Sequence, residues 1–268
     1  MTSFHTLSLR HRSGLLFFAL FLVGVAPASA QSVDTVVDNL RATYQQQLEA
    51  VDTYIVETNL YTSYNRRVTR DGTPAYESAT RLTGSSDMPF ATDTTPSATF
   101  GLQLDRLAQH ATYAGTETID GARCHVLQVA APEKVNPEMA AGDAERVTYY
   151  IDAERHVPAR IHLTPPRRGQ GPSPSGVTIT MRDYRTTDGL TLPYRMEFQV
   201  DMEMSEQQRA QMEQALKQME NMSDQQRRMM QKMMGGQMDM MRRMMADEPM
   251  VVEVQRVEVN TEIPEGIF

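Results

Sequence analysis

Methionine is the side chain here whose number and spacing most suggest chemistry. Fifteen of the chain's 20 methionines fall between Met202 and Met250, in a stretch otherwise made almost wholly of Gln, Glu, Arg, Lys, Asp and Ala. The thioether is unbranched and polarisable, so a methionine-rich helix offers an adaptable apolar surface to a flexible ligand such as an acyl chain. The same sulfurs are soft ligands. Met238, Met240, Met241, Met244 and Met245, with the Met230/Met233 and Met241/Met244 pairs, have spacings that suit Cu(I). An apolar helix face packed on a sheet, or on a second copy, is the plainer reading of the pattern.

Other reactive residues point to less. His110, His125, His156 and His162 have no metal-ligand spacing, which suggests surface or structural roles rather than a metal site. Gly-x-Ser-x-Gly, His-Glu-x-x-His and a phosphate-binding glycine loop are missing from the sequence, so a non-enzymatic protein without a cofactor is expected. Cys124, the one cysteine, falls in a strand pattern and reads as a buried apolar residue.

The segments that must position these groups begin with an export signal. Arg10 and Arg12 precede the apolar run Leu15–Val25, and Ala28-Ser29-Ala30 supplies small residues for cleavage after Ala30. The expected mature chain, 31–268, is a single domain in the periplasm with no transmembrane segment. Its formal balance is 24 basic against 34 acidic residues, which disfavours nucleic acid as a partner.

Val33, Val36, Val37, Leu40, Tyr44 and Leu48 predict an amphipathic helix over roughly 32–50, with Ser32 as its N-cap. From Val51 the period changes to two. Tyr54, Val56, Thr58 and Leu60 share a face, and Asp71-Gly72 turns the chain into 74–82, which predicts an antiparallel pair. A brief helix is expected over 102–110. Strands follow at 112–118, 124–130, 146–151 and 157–163, joined by a turn at Asp120-Gly121 and a loop at 131–144, with a flexible hairpin tip at 165–175.

The clearest hairpin joins Val177, Ile179 and Met181, through Asp188-Gly189, to Leu192, Tyr194, Met196, Phe198 and Val200. A last strand spans 251–259, and its apolar phase slips near Gln255 and Arg256, which predicts a bulge. Ser205 with Gln208, and Ser223 with Gln226, predict capping boxes within the methionine-rich segment. Gly235-Gly236 breaks that segment and Pro249 stops it. The whole reads as some ten strands and four helices, with 203–249 a helical excursion between two strands.

Several motifs resemble the LolA/LolB-like superfamily of outer-membrane lipoprotein-sorting proteins. They are Ile119-Asp120-Gly121 before a Cys-x-Val-Leu-x-Val strand, Tyr150-Ile151-Asp152, Asp188-Gly189-Leu190-Thr191-Leu192-Pro193-Tyr194, and Val259-Asn260-Thr261. The resemblance covers most of residues 31–268. It implies an α+β, mostly antiparallel β fold: a LolA-like half-open β-barrel with an N-terminal helix, here carrying a Met-rich helical insertion before the last strand. It also implies a periplasmic carrier or sensor whose apolar cavity takes lipid acyl chains or lipoproteins.

Lipid-contacting residues are then expected at Leu192, Tyr194, Met196, Phe198 and Val200 of the sheet, and at Met212, Leu216, Met219, Met229 and Met233 of the insertion. The alternatives are an envelope-stress sensor or interaction module that docks an envelope protein partner through the methionine-rich helices, and Cu(I) binding by that segment. Ser-Glu-Gln-Gln-Arg at 205–209 and Ser-Asp-Gln-Gln-Arg at 223–227 are similar to the helices of Spy-like periplasmic chaperones.

Overall fold

The chain folds around one antiparallel sheet, and the alternation of its apolar residues explains why. The computed structural model describes residues 32–70, 72–82, 103–136, 139, 144–166, 173–203, 206–207, 210–211, 214 and 248–268. The expected export signal at 1–30, residues 167–172 of the hairpin tip expected at 165–175, and almost all of the methionine-rich segment lie outside the described residues, while 173–175 already belong to a strand.

Helix α1, Val33–Ala50, is capped by the Ser32 hydroxyl, which accepts the Thr35 N–H at 3.2 Å. Strands β1 (Thr53–Thr58), β2 (Tyr61–Arg70) and β3 (Thr73–Leu82) follow. Next come α2 (Leu104–His110), β4 (Ala111–Ile119), β5 (Ala122–Val129) and the one-turn α3 (Pro132–Val135). The remainder is β6 (Arg146–Asp152), β7 (Pro158–Thr164), β8 (Ser173–Thr187), β9 (Leu190–Glu203) and β10 (Met250–Val259). Their order across the sheet is β3-β2-β1-β10-β9-β8-β7-β6-β5-β4, every pairing being antiparallel. Among the described residues β3 and β4 stand at the two edges, so the mostly antiparallel half-open fold expected from the sequence is what forms.

Two local differences from the sequence reading have physical causes. The span 53–70 is two strands rather than one, because the Thr58 hydroxyl accepts the N–H groups of Leu60 and Tyr61 at 3.1 and 2.9 Å and so builds a tight turn. The Asn59 amide then continues the sheet, donating to Val251 O at 3.1 Å and accepting from Glu253 N at 2.9 Å. The connection 131–144 holds the single turn α3, which Pro132 opens at a position that needs no N–H donor.

The bulge lies where the apolar phase slips. Glu57 pairs with Arg256 and Thr58 with Val254, leaving Gln255 as the extra residue. On either side of it Val252, Val254, Val257 and Val259 all contribute to the apolar interior.

That interior lies on the α1 side of the sheet. Val36, Val37 and Leu40 of α1 and Leu107 of α2 pack with Leu127, Val129, Val147, Tyr149, Ile151, Ile161, Met181, Met196 and Val252. A second cluster joins Val51, Tyr54, Val56, Leu190 and Leu192. The end of α1 is tied down by polar contacts as well. The Tyr76 hydroxyl donates to Val51 O at 2.9 Å and to Gln47 O at 3.2 Å, and the Arg67 guanidinium reaches Leu48 O and pairs with Asp52.

Candidate functional site

Register alone assembles the site. Because side chains alternate across a strand, residues paired in register stand side by side on one face of the sheet. Tyr113, Leu127, Tyr149, Ile161, Ile179, Phe198 and Met250 make one such row, crossing seven strands from β4 to β10. At the usual strand spacing that row is about 29 Å long. A parallel row runs through Ala111, Val129, Val147, Leu163, Val177 and Val200. Both rows lie on the face that α1 packs against.

The two ends of the sheet differ. The short turns, Asp120-Gly121, 153–157 and Asp188-Gly189, cluster at one end of β4 to β10, while the long connections 130–145, 165–172 and 204–249 all leave from the other. Burial falls toward this second end on four neighbouring strands. Met196 is buried whereas Phe198, Val200 and Met202 are half-buried; Met181 is buried whereas Ile179 and Val177 are not fully so; Ile161 gives way to Leu163, and Val252 to Met250. Among the described residues, the apolar face of β7, β8, β9 and β10 is therefore least covered at this end, its mouth.

The expected lipid-contacting residues separate on this gradient. Phe198 and Val200 line the mouth. Met196, 3% exposed, is part of the main core, and Leu192 belongs to the second cluster, so both are packed by protein. Tyr194 is half-buried, with the Arg185 guanidinium 4.3 Å from the centre of its ring. Met212, Leu216, Met219, Met229 and Met233 lie outside the described residues, though β9 stops at Glu203 and β10 starts at Met250, which puts both ends of the segment at the mouth. Glu206, Gln207, Ala210, Gln211 and Gln214, the described positions that follow, are helical and exposed. Leu163, Val177, Ile179 and Met250 were not among the expected lipid-contacting residues, although their place in the strands was the available signal.

Burial favours the neutral form of several titratable groups in and around these strands. Burial pushes the Tyr149 phenol up to about 12, and it raises that of Tyr61 further. His125, 5% exposed, faces the Tyr113 hydroxyl at 3.2 Å. Burial, and then the nearby Arg123 and His156, lower its pKa and keep the ring neutral. Cys124 is fully buried in β5, where burial and the Asp152 carboxylate push its thiol up to about 11, far from a reactive thiolate. Among the described residues, no group of three or more His, Cys, Asp or Glu side chains is placed to hold a metal ion. No helix among them is long and apolar enough to cross a membrane.

The outer face is polar. A chain of ion pairs crosses it: Asp120 to Arg182 at 2.8 Å, Arg182 to Glu197 at 3.2 Å, Glu197 to Arg195 at 2.8 Å and Arg195 to Glu253 at 2.7 Å. Burial would raise the Glu197 carboxyl, but Arg195 and Arg182 together hold it below its ordinary value. An apolar inner face with a charged outer one is the pattern of an antiparallel sheet that packs apolar groups on one side and faces water on the other.

Comparison with known proteins is confined to folds. No family model matches this chain, and no curated protein matches it. Similar solved structures include an outer membrane lipoprotein-sorting protein domain from Vibrio parahaemolyticus, at 9% identity and a TM-score of 0.44, over 87% of this chain and 95% of that one. A DUF1329 family protein from Desulfovibrio piger aligns at 9% identity and a TM-score of 0.42, over 88% and 96%. A LolA superfamily protein from Nitrosomonas europaea aligns at 10% identity and a TM-score of 0.36, over 89% and 98%. Their names include the superfamily that the sequence motifs resemble.

Proposed function

We propose that this chain is a non-enzymatic binding protein of the exported compartment. It holds an acyl chain, free or as the anchor of a lipoprotein, against the inner face of the sheet at the mouth between β7 and β10. The observation that carries this reading is the burial gradient along the apolar rows. Phe198, Val200, Val177, Ile179, Leu163 and Met250 continue the core surface yet remain half-buried.

Apolar area of this kind is costly to leave in water. Covering it with a ligand gains about 0.8 kcal/mol per buried methylene, so even a partly enclosed acyl chain binds. The resemblance to lipoprotein-sorting proteins and the export-type first thirty residues support the periplasm as the compartment. Within this proposal the segment 203–249 adds Met212, Leu216, Met219, Met229 and Met233 to the ligand's surroundings, methionine being suited to a flexible guest.

Displacement of a fluorescent fatty acid by palmitate tests it, together with native mass spectrometry of protein purified from its own envelope. Saturable binding that Phe198→Asp or Val200→Asp abolishes is the expected result. A ligand-free protein that also ignores the fluorescent probe overturns it. Deleting 203–248 separates the neighbouring reading: if lipid binding persists while an envelope partner is lost, the segment is a docking arm.

A further inference from the structure

We infer that the outer, polar face of the sheet carries a second site, which takes a carboxylate at the side chains of Tyr150, Arg160 and Thr180. These three residues stand in one register on β6, β7 and β8, Tyr150 opposite Arg160 and Arg160 opposite Thr180. Their chain neighbours Tyr149, Ile161 and Ile179 pack in or against the main core, which fixes the three on the other side. At the usual strand spacing the row is about 10 Å across.

Arg160 is the group that calls for a ligand. Its Nε is buried and has no hydrogen-bond partner, a costly state for the N–H of a charged group. The guanidinium makes no ion pair among the described residues, and its Cζ lies 6.0 Å from the centre of the Tyr150 ring, at the limit of a cation–π contact. On the same face Arg182 is paired with Asp120 and Glu197, and Arg195 with Glu197 and Glu253. Arg160 as a whole is half-buried, so one side of the residue meets water.

The flanking hydroxyls are donors as well. Thr180 is 6% exposed and Tyr150 half-buried, and neither hydroxyl forms a hydrogen bond among the described residues. Burial and then Glu117 raise the Tyr150 phenol against the lowering effect of Arg160, so it keeps its proton at neutral pH. The row thus sets a neutral donor on each side of a guanidinium fork, which suits a planar carboxylate. Phosphate suits it less. The chain's formal charge is −8 and Glu117 stands close enough to act on Tyr150, so one negative charge is repelled less than two. Glu197, next in the row, is engaged by Arg182 and Arg195 and is not the missing partner.

Titration of the full chain with sodium acetate at low, constant ionic strength, with acetamide as the neutral control, tests the site through the Arg160 Nε–H resonance, assigned by its loss in Arg160→Lys. A saturable downfield shift with acetate and none with acetamide is expected. Arg160→Lys keeps the charge but not the fork, and should weaken binding about tenfold, read from the backbone amides of Tyr150 and Thr180. Thr180→Val keeps the shape and loses the hydroxyl, and should weaken binding about twofold to tenfold.

Equal response to acetamide, a shift that never saturates, unchanged affinity in either variant, or inorganic phosphate binding more tightly than acetate overturns the site. Acetyl-Gly-Glu-Gly-amide separates the two sources of the carboxylate. Binding as tight as acetate's supports an acidic side chain of a protein partner, and binding of acetate alone supports a small acid. Neither result touches the acyl-chain proposal, which concerns the inner face, and Phe198→Asp should leave acetate binding unchanged.

Discussion

The side-chain oxygen of Gln47 accepts the backbone N–H of Thr191 at 2.7 Å, joining the last turn of α1 to the start of the strand that forms one wall of the mouth. Gln47 is 6% exposed and its neighbours Leu48 and Val51 belong to the apolar interior, so water cannot readily replace that acceptor. Gln47→Leu should cost about 1–3 kcal/mol in chemical denaturation, the penalty of an unsatisfied buried donor. Gln47→Glu keeps an acceptor at the same reach but buries a charge, so its cost should ease as the pH is lowered and the carboxyl protonates.

Met196 and Phe198 lie two residues apart on one face of β9, yet they should separate stability from binding. Met196→Ala opens a hole in a filled core and should lose about 2–5 kcal/mol, read from the urea midpoint. Phe198→Asp places a charge at a half-buried mouth position, so fatty-acid binding should fall far more than stability does. A Phe198 variant that unfolds the protein but still binds lipid would refute the division between core and mouth.

Gln255 is the extra residue of its ladder, so removing it should regularise β10 rather than break it. Val252, Val254, Val257 and Val259 keep their inward orientation when Gln255 is deleted, and the cost should stay under about 1 kcal/mol. Deleting Val257 instead turns Arg256 to the apolar side and should cost several times as much. Thermal melts of the two deletions check the ordering.

His125 gives stability a dependence on pH. Its pKa in the folded chain lies below the ordinary 6.5, through burial first and then the neighbouring Arg123 and His156. The folded state therefore favours the neutral ring. That contribution is fully present above the unfolded value near 6.5 and is lost progressively as the pH falls from there through the depressed folded value. Urea midpoints should decline over this window in the wild type, and the His125→Gln difference should shrink in step. A midpoint independent of His125 at every pH would count against its burial in the neutral form.

What the sequence could and could not foretell follows from how local each cause is. The bulge was readable at Gln255 because an unpaired residue shifts the apolar phase, which one strand displays by itself. The turn at Asn59 was not, because Leu60 continues the apolar alternation and the turn is made by the Thr58 hydroxyl. Leu192 and Phe198 look alike in an alternating strand, and only the placement of α1 and the second cluster makes one core and the other mouth.

The division between short turns at one end of β4 to β10 and long connections at the other bears on how such a chain can vary. A turn such as Asp188-Gly189, with Asp188 at φ 47° and Gly189 at φ 86°, admits little change in length, since both residues use backbone that most side chains avoid. A connection that is already long tolerates lengthening, each doubling costing only about 0.6 kcal/mol of closure entropy. Grafts, reporter domains and inherited insertions are thus better tolerated at the rim where the apolar rows emerge, and whatever is added there is delivered beside those rows.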